Sequence, residues 1–271
     1  MILPNLGDSL AASISRGVRD GFSDEDWAVS VFDSHHDDDV EIDCLRRVRE
    51  EKLAGAIMHP TGSPESAVEI FRNILDGIPL VLLDRHFQEV PCWYATSDNH
   101  RGGMLAAAHL LDRGRRRLAM VSGTLHASTV RQRLQGLLDE TARRGVPVYH
   151  NYIIDTDGPS QTVASAVTDL LALPEPPDGI FFGNDYDAMA GLQAIKASGR
   201  SVPHDVSVVG FDGHPLSSVF HPAVTTVKQD GVAMGRAAAE LFREQLAMPA
   251  SQRLNAKNRI IPVELVVRQS S

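Results

Sequence analysis

Cys44 and Cys92 are the whole thiol complement of this 271-residue chain. They form no CxxC pair, and two are too few for a disulfide scaffold or a zinc site. No apolar run approaches the ~18 residues of a membrane span. The start, Met1-Ile2-Leu3-Pro4-Asn5, lacks a basic stretch followed by a long apolar one, so no signal peptide is visible. The cytoplasm is the default location. A surplus of positive charge is missing too: 26 basic against 35 acidic residues leave a net charge of −9. Phosphate binding needs clustered Lys and Arg. The one dense basic run, Arg113-Gly114-Arg115-Arg116-Arg117, reads as a helix end and a solvated turn, where cations suit the helix dipole. GxGxxG, a Walker A loop and GxSxG are all absent, which removes dinucleotide, phosphate-loop and hydrolase-elbow chemistry. No histidine has an obvious Ser or Cys partner. His35-His36-Asp37-Asp38-Asp39 resembles a ligand set, but adjacent residues rarely converge on one ion, and an acidic run before a helix serves its dipole. No metal, cofactor or catalytic activity is expected.

The remaining composition is that of a globular protein, 43% hydrophobic and 23% charged, long enough for one large domain or two smaller ones. Short apolar runs alternate with helical patterns. Strands are expected at 27–33, 55–59, 79–84, 118–122, 152–155, 179–183 and 206–212, with short ones near 259–262 and 264–268. Helices are expected at 38–51, 64–76, 101–113, 128–144, 161–173, 186–198 and 232–246. The strands are nearly all apolar, as parallel strands buried on both faces are. Two rounds of βαβα imply two doubly wound α/β units, with a crossover near Ser97-Asp98-Asn99.

In open α/β sheets, ligands bind beyond the carboxyl ends of the strands. Polar residues gather there: Asn5, Asp8 and Ser9; Asp84-Arg85; Ser122-Gly123-Thr124; Asn184-Asp185; and Asp212. Asp and Asn match vicinal hydroxyls, and Arg supplies a rigid donor fork. Any one of them could equally be a helix N-cap; the case rests on their coincidence. His214 and His221, each before a proline, read as loop histidines or ligand contacts.

These motifs together resemble the effector-binding core of the LacI/GalR family of bacterial transcriptional regulators. The resemblance runs the length of the chain. It is carried by Leu-Pro-Asn-Leu at 3–6, Leu-Leu-Asp-Arg at 82–85, Ser-Asp-Asn-His-Arg-Gly-Gly at 97–103 and His-Leu-Leu-Asp-Arg-Gly-Arg-Arg-Arg-Leu-Ala at 109–119. Further on come Ser-Thr-Val-Arg-Gln-Arg-Leu-Gln-Gly at 128–136, Gly-Asn-Asp-Tyr-Asp-Ala-Met-Ala at 183–190, Val-Pro-His-Asp-Val-Ser-Val-Val-Gly-Phe-Asp at 202–212 and Pro-Ala-Val-Thr-Thr-Val-Lys-Gln at 222–229. It implies a periplasmic-binding-protein-like fold of type I: two similar doubly wound parallel-sheet lobes joined by three crossovers. The N-terminal lobe would be 1–97 plus 228–261 and the C-terminal lobe 98–227 plus 262–271. It also implies a homodimer, a small-molecule effector in the inter-lobe cleft, and lobe movement that changes operator affinity.

Carried over by motif, the ligand positions are Arg133, Asn184 and Asp212 in one lobe and Asp84, Asp8, Ser9 and Leu10 in the other. Arg131, two residues before Arg133, cannot share its helix face. Three positions depart from the family pattern. Gly158 stands where an aromatic residue often stacks on a sugar. Gly213 replaces a second acid after Asp212, and Leu10-Ala11 replace an aromatic pair. The ligand is expected to be polyhydroxylated, a sugar or sugar derivative. Operator DNA would be reached only through a helix-turn-helix domain that is not in this chain. Since only Met1, Ile2 and Leu3 represent the first strand, the chain is expected to be a fragment. The alternatives are an exported sugar-binding protein of a transport system and an α/β enzyme. The Val-Thr-Thr-Val-Lys-Gln stretch at 224–229 favours the regulator.

Overall fold

The computed structural model describes residues 1–23, 27–123, 125–157 and 162–271. The first half runs β1 (Ile2–Leu3), α1 (Ser9–Gly21), β2 (Phe32–Asp33), α2 (Asp38–Glu50), β3 (Ala56–Met58), α3 (Pro64–Leu75), β4 (Leu80–Leu83) and β5 (Trp93–Ser97). Then come α4 (Asn99–Asp112), β6 (Leu118–Ser122), α5 (Ser128–Arg143), β7 (Ile153–Asp155), α6 (Val163–Leu171), β8 (Gly179–Phe182), α7 (Asp185–Ala197) and β9 (Ser207–Asp212). The chain closes with β10 (Thr225–Lys228), α8 (Gly231–Leu246), β11 (Asn258–Ile261) and β12 (Glu264–Val266). It divides into two units: Met1–Ser97 with Asp230–Pro262, and Asp98–Gln229 with Val263–Ser271. Lys228 stays with the second unit because it ends β10, paired with Asp212 of β9 and Glu264 of β12.

Each unit holds a six-stranded sheet. The first has the order β11-β5-β4-β3-β1-β2, parallel throughout. The second has the order β12-β10-β9-β8-β6-β7, with only β12 antiparallel. Successive strand residues face opposite sides, so each sheet has two cores. In the first unit Leu3, Ile57, Val81 and Leu83 pack with α1 and α8, while Ile2, Met58, Leu80 and Leu82 pack with α2 and α3. In the second, Val121, Ile180 and Phe182 pack with α6 and α7, while Met120, Phe181 and Phe211 pack with α4 and α5. This is the α/β fold of periplasmic-binding-protein-like type I.

One helix pair in each unit meets through glycine. A Cβ on Gly17 of α1 would lie 2.1 Å from the Val232 carbonyl oxygen of α8, and one on Gly235 would lie 2.2 Å from that of Ile14. In the second unit, Gly103 of α4 would meet the Arg133 carbonyl oxygen of α5 at 2.0 Å, and Gly136 that of His100 at 2.0 Å. Backbone contact sets these crossings.

Three elements are additional to those expected: α1, β5 and β10. The buried face of α1, Ala11, Ile14, Gly17 and Val18, has helical spacing, although no helix is expected there from the strand–helix alternation. The strand expected at 27–33 shortens to Phe32–Asp33. Its central neighbour β1 pairs Ile2 with Phe32 and Leu3 with Asp33, and ahead of them the Met1 amino group donates to Ser30 O at 2.6 Å. The helix expected from 161 begins outside the described residues; α6 starts at Val163. The basic run is not simply solvated. Arg115 donates to Ser207 Oγ at 2.9 Å and to the carbonyls of Pro203 and His204, and Arg117 donates to Pro176 O at 2.7 Å. These bonds tie the start of β6 to the loops before β8 and β9. No helix among the described residues is long and apolar enough to cross a membrane. No group of His, Cys, Asp and Glu among them could hold a metal.

Candidate functional site

In the second unit β6, β8 and β9 end side by side. Arg133 reaches this carboxyl edge from α5 and is only 5% exposed. Its Nε donates to Asn99 Oδ1 at 2.8 Å and its Nη1 to Gly183 O at 2.6 Å. The guanidinium carbon lies 3.6 Å from the centroid of the Phe211 ring. Nη1 is 3.8 Å from Asp212 Oδ1. A planar cation with diverging donors suits such a setting; an ammonium would not reach both acceptors and the ring face.

Asp212 ends β9 with φ 107°, a conformation that side chains rarely adopt. Gln229 Nε2 donates to its Oδ1 at 2.8 Å, and the carboxylate keeps 23% exposure, so a solute can reach it. The buried Gln229 Oε1 has no protein partner. Gly213 has φ 73°, and a Cβ there would lie 2.6 Å from Lys228 Cγ. The left-handed backbone and the closeness of Lys228 both favour glycine at this position.

Asn184 follows β8, and its side chain caps the next helix. Its Oδ1 accepts from the Asp187 N–H at 2.8 Å, capping α7, and its Nδ2 donates to Asp187 Oδ2 at 2.9 Å. Burial pushes the Asp187 carboxyl up to about 6, against a bond from the Gly123 N–H. His214 organises its own loop. Its Nδ1 accepts from the Leu216 N–H at 3.1 Å, which leaves the proton on Nε2, 3.0 Å from the Tyr186 hydroxyl. Its backbone N–H donates to buried Asp185 at 2.6 Å, whose carboxyl burial also pushes up to about 6. Thr124 and Gly158 lie outside the described residues.

In the first unit the edge is built by β1, β3 and β4. Asp8 caps α1, its Oδ1 accepting from the Leu10 N–H at 2.7 Å. Ser9 opens α1, and its carbonyl takes the Ser13 hydroxyl at 2.9 Å. Leu10 packs against the core shared by α1 and α8. It is only half-buried, so packing leaves part of the side chain reachable. Asp84 follows β4 with φ 58° and is 6% exposed. Its Oδ1 is buried without a hydrogen-bond partner. His59, which follows β3, places Nε2 at 3.6 Å from Asp84 Oδ2, and that nitrogen is also unpartnered. Sequence reasoning missed His59. The rule that found Asp84, a polar residue just past a buried strand, applies equally to it. It also missed Gln229, whose partner Asp212 only the β9–β10 pairing reveals.

Burial lowers the His59 pKa to about 4, against the pull of Asp84 and Asp8 and together with repulsion from Arg85 and His36. The unfolded chain thus binds a proton below about 6.5 that the folded chain refuses until about 4. Stability falls as pH drops through that window, by ~3 kcal/mol from this group once both states are protonated. Asp185 and Asp187 act with the opposite sign in nearly the same window. Comparing urea denaturation of the parent and of His59→Gln at pH 7 and pH 4.5 isolates His59. The variant should lose less stability on acidification; equal losses would show that His59 is not held neutral.

Residues 107–271 match the family model described as a periplasmic binding protein-like domain. The HTH-type transcriptional repressor PurR of Photobacterium profundum is 30% identical over 231 residues, 84% of this chain and 67% of that protein. The HTH-type transcriptional repressor CytR of Escherichia coli (strain K12) is 26% identical over 272 residues, 100% of this chain and 78% of that protein. Among solved structures, a LacI family transcriptional regulator from Enterococcus faecium with bound ribose matches with a TM-score of 0.80 at 23% identity, over 100% of this chain and 97% of that one. With fold and sequence in agreement, the chain belongs to the periplasmic-binding-protein-like family, as the effector-binding domain of a LacI-type transcriptional repressor.

Proposed function

We propose that the domain binds a small polyhydroxylated effector, a sugar or sugar derivative, at the carboxyl edges of its two sheets. Arg133 and Asp212 take vicinal hydroxyls at the edge of one sheet; Asp84, His59 and Asp8 offer polar groups at the edge of the other. The observation that carries this reading is the Arg133–Asp212 pair: a buried, fixed donor fork beside a solvent-reachable acceptor. The unpartnered Asp84 Oδ1 and His59 Nε2 support it. A hydroxyl both donates and accepts, so one group can satisfy both atoms. The bound ribose of the Enterococcus faecium regulator is of the same ligand class. Binding favours one arrangement of the units by its affinity difference between arrangements. That shift modulates operator binding through a helix-turn-helix domain outside these residues, in a cytoplasmic homodimer. Exposed Val68, Phe71 and Leu75 on α3 offer a face for a second copy; light scattering of Phe71→Asp beside the parent reads it.

Asp212→Ala should leave the fold intact and weaken binding by about 2–4 kcal/mol, because a charge-assisted hydrogen bond is lost and a ligand hydroxyl is left unpaired. Calorimetry against a panel of pentoses and hexoses measures it. A sugar that binds parent and variant equally would show that the ligand sits elsewhere.

A further inference from the structure

Glu41 is an acid in a buried row. With Cys44, Leu45 and Val48 it forms the covered face of α2, and it has no solvent exposure. An aliphatic residue would pack there at no cost in lost hydration, whereas a carboxylate needs hydrogen bonds or a cation in place of water. Glu69 on α3, also buried, meets Arg49 and Arg72. Glu41 instead takes neutral donors from one short stretch. Its Oε2 accepts from the Thr61 N–H at 2.8 Å, and its Oε1 from the Thr61 hydroxyl at 3.2 Å and from the Ser66 hydroxyl. Burial pushes its carboxyl up, against these three bonds and with Asp38 adding repulsion. Residues 59–63 connect β3 to α3, and His59 begins them. Thr61 lies at their middle, and Ser63 ends them as the cap of α3, accepting the Ser66 N–H at 3.1 Å. On its other side the Thr61 carbonyl accepts from Arg85 Nη1. Arg85 directly follows Asp84, so a chain of bonds from Glu41 through Thr61 to Arg85 brackets both members of the His59–Asp84 pair. The Arg85 guanidinium is held on a carbonyl, and Asp84 Oδ1 is left buried without a hydrogen-bond partner.

We propose that Glu41 is a positioning residue for the His59–Asp84 pair, acting through Thr61 and Arg85. A connection pinned only where it leaves β3 and where it enters α3 could shift about its middle and carry His59 with it. The Thr61 N–H and hydroxyl, taken by the two oxygens of one carboxylate, fix that middle in place and in orientation. Arg85 is set by the same bonds, since they aim the Thr61 carbonyl at it. Released from Thr61, its cation would be drawn to the unpartnered oxygen of the adjacent Asp84. Keeping that oxygen open for a ligand hydroxyl rests on the effector reading given above; the placement of His59 stands without it.

The test reads His59 without any effector. NMR of 15N-histidine-labelled protein follows the imidazole nitrogens through a pH titration, with His59→Gln identifying the signal. In the parent the ring should stay neutral down to about 4, because burial holds it there. Glu41→Leu keeps the covered face of α2 filled and removes both acceptor oxygens. The freed connection lets water reach the ring, so His59 should bind a proton at least ~10-fold more tightly than in the parent. Glu41→Gln keeps an oxygen for the Thr61 N–H and should restore the parental titration. Val48→Ala hollows the same helix face and should destabilise the protein without moving His59. A parental titration in folded Glu41→Leu would overturn the proposal. So would an equal shift in Val48→Ala, since loose packing alone would then account for it. Thr61→Val combined with Ser66→Ala strips Glu41 of both hydroxyl donors without touching α2, and gives the same reading if Glu41→Leu does not fold. Failure of every sugar to bind would sink the effector reading and leave this result standing.

Discussion

Replacing Arg133 with alanine should cost about 3–5 kcal/mol of stability, the range for removing one member of a buried charge network. The residue is 5% exposed and serves four neighbours at once: Asn99, the Gly183 carbonyl, the Phe211 ring and Asp212. Truncation takes the donor from two acceptors, opens a void beside Phe211 and leaves Asp212 without its cation. Arg133→Lys should recover only part of the loss, because a point charge cannot serve diverging acceptors and a ring face together. Urea denaturation monitored by circular dichroism gives the number. A loss below about 1 kcal/mol, the scale of an exposed pair, would mean that the network contributes little. Effector binding, as proposed above, should vanish in Arg133→Ala even where the protein remains folded.

Gly103→Ala should also be damaging, although it adds only a single methyl group. The new Cβ would lie 2.0 Å from the Arg133 carbonyl oxygen, 2.9 Å from its carbon and 3.1 Å from its Cα. These are backbone atoms, so no side chain can rotate away. α4 and α5 must separate. Overpacking costs about 1–3 kcal/mol and sometimes more, while the helical preference of Ala over Gly returns only ~1 kcal/mol. We expect a net loss of about 2 kcal/mol together with displacement of Arg133, whose own backbone is struck. Gly17→Ala meets the Val232 carbonyl oxygen at 2.1 Å in the other unit. It should lose similar stability without moving Arg133. Thermal melts together with effector titrations separate the two outcomes. Gly103→Ala at parental stability would show that the helix pair can slide apart freely.

The departures from the sequence reading have physical reasons. Asn184 fits two descriptions at once, family ligand position and N-cap: the cap uses one lone pair and one N–H of its amide and leaves one of each. The backbone N–H groups that open α7 are always present, whereas a ligand is not. Leu10 falls among ligand contacts by motif position and is half-buried beside the packing of α1 on α8. Helix α1 has a regular buried face, Ala11, Ile14, Gly17 and Val18, in which Gly17 permits the close approach to α8.

By itself the sequence determined the alternation of buried strands and helices, and hence two doubly wound sheets. That signal is local, since each apolar run reports its own burial. It also placed polar residues past the strand ends, because strand direction and chain order are local as well. Which of those residues act together was decided only by tertiary structure. Arg133 reaches Asp212 because Gly103 and Gly136 let α5 lie close against α4. His59 faces Asp84 because β3 and β4 are neighbours. Gln229 holds Asp212 because β10 pairs in register with β9. Such contacts join residues far apart in the chain, and no periodicity within a segment encodes them.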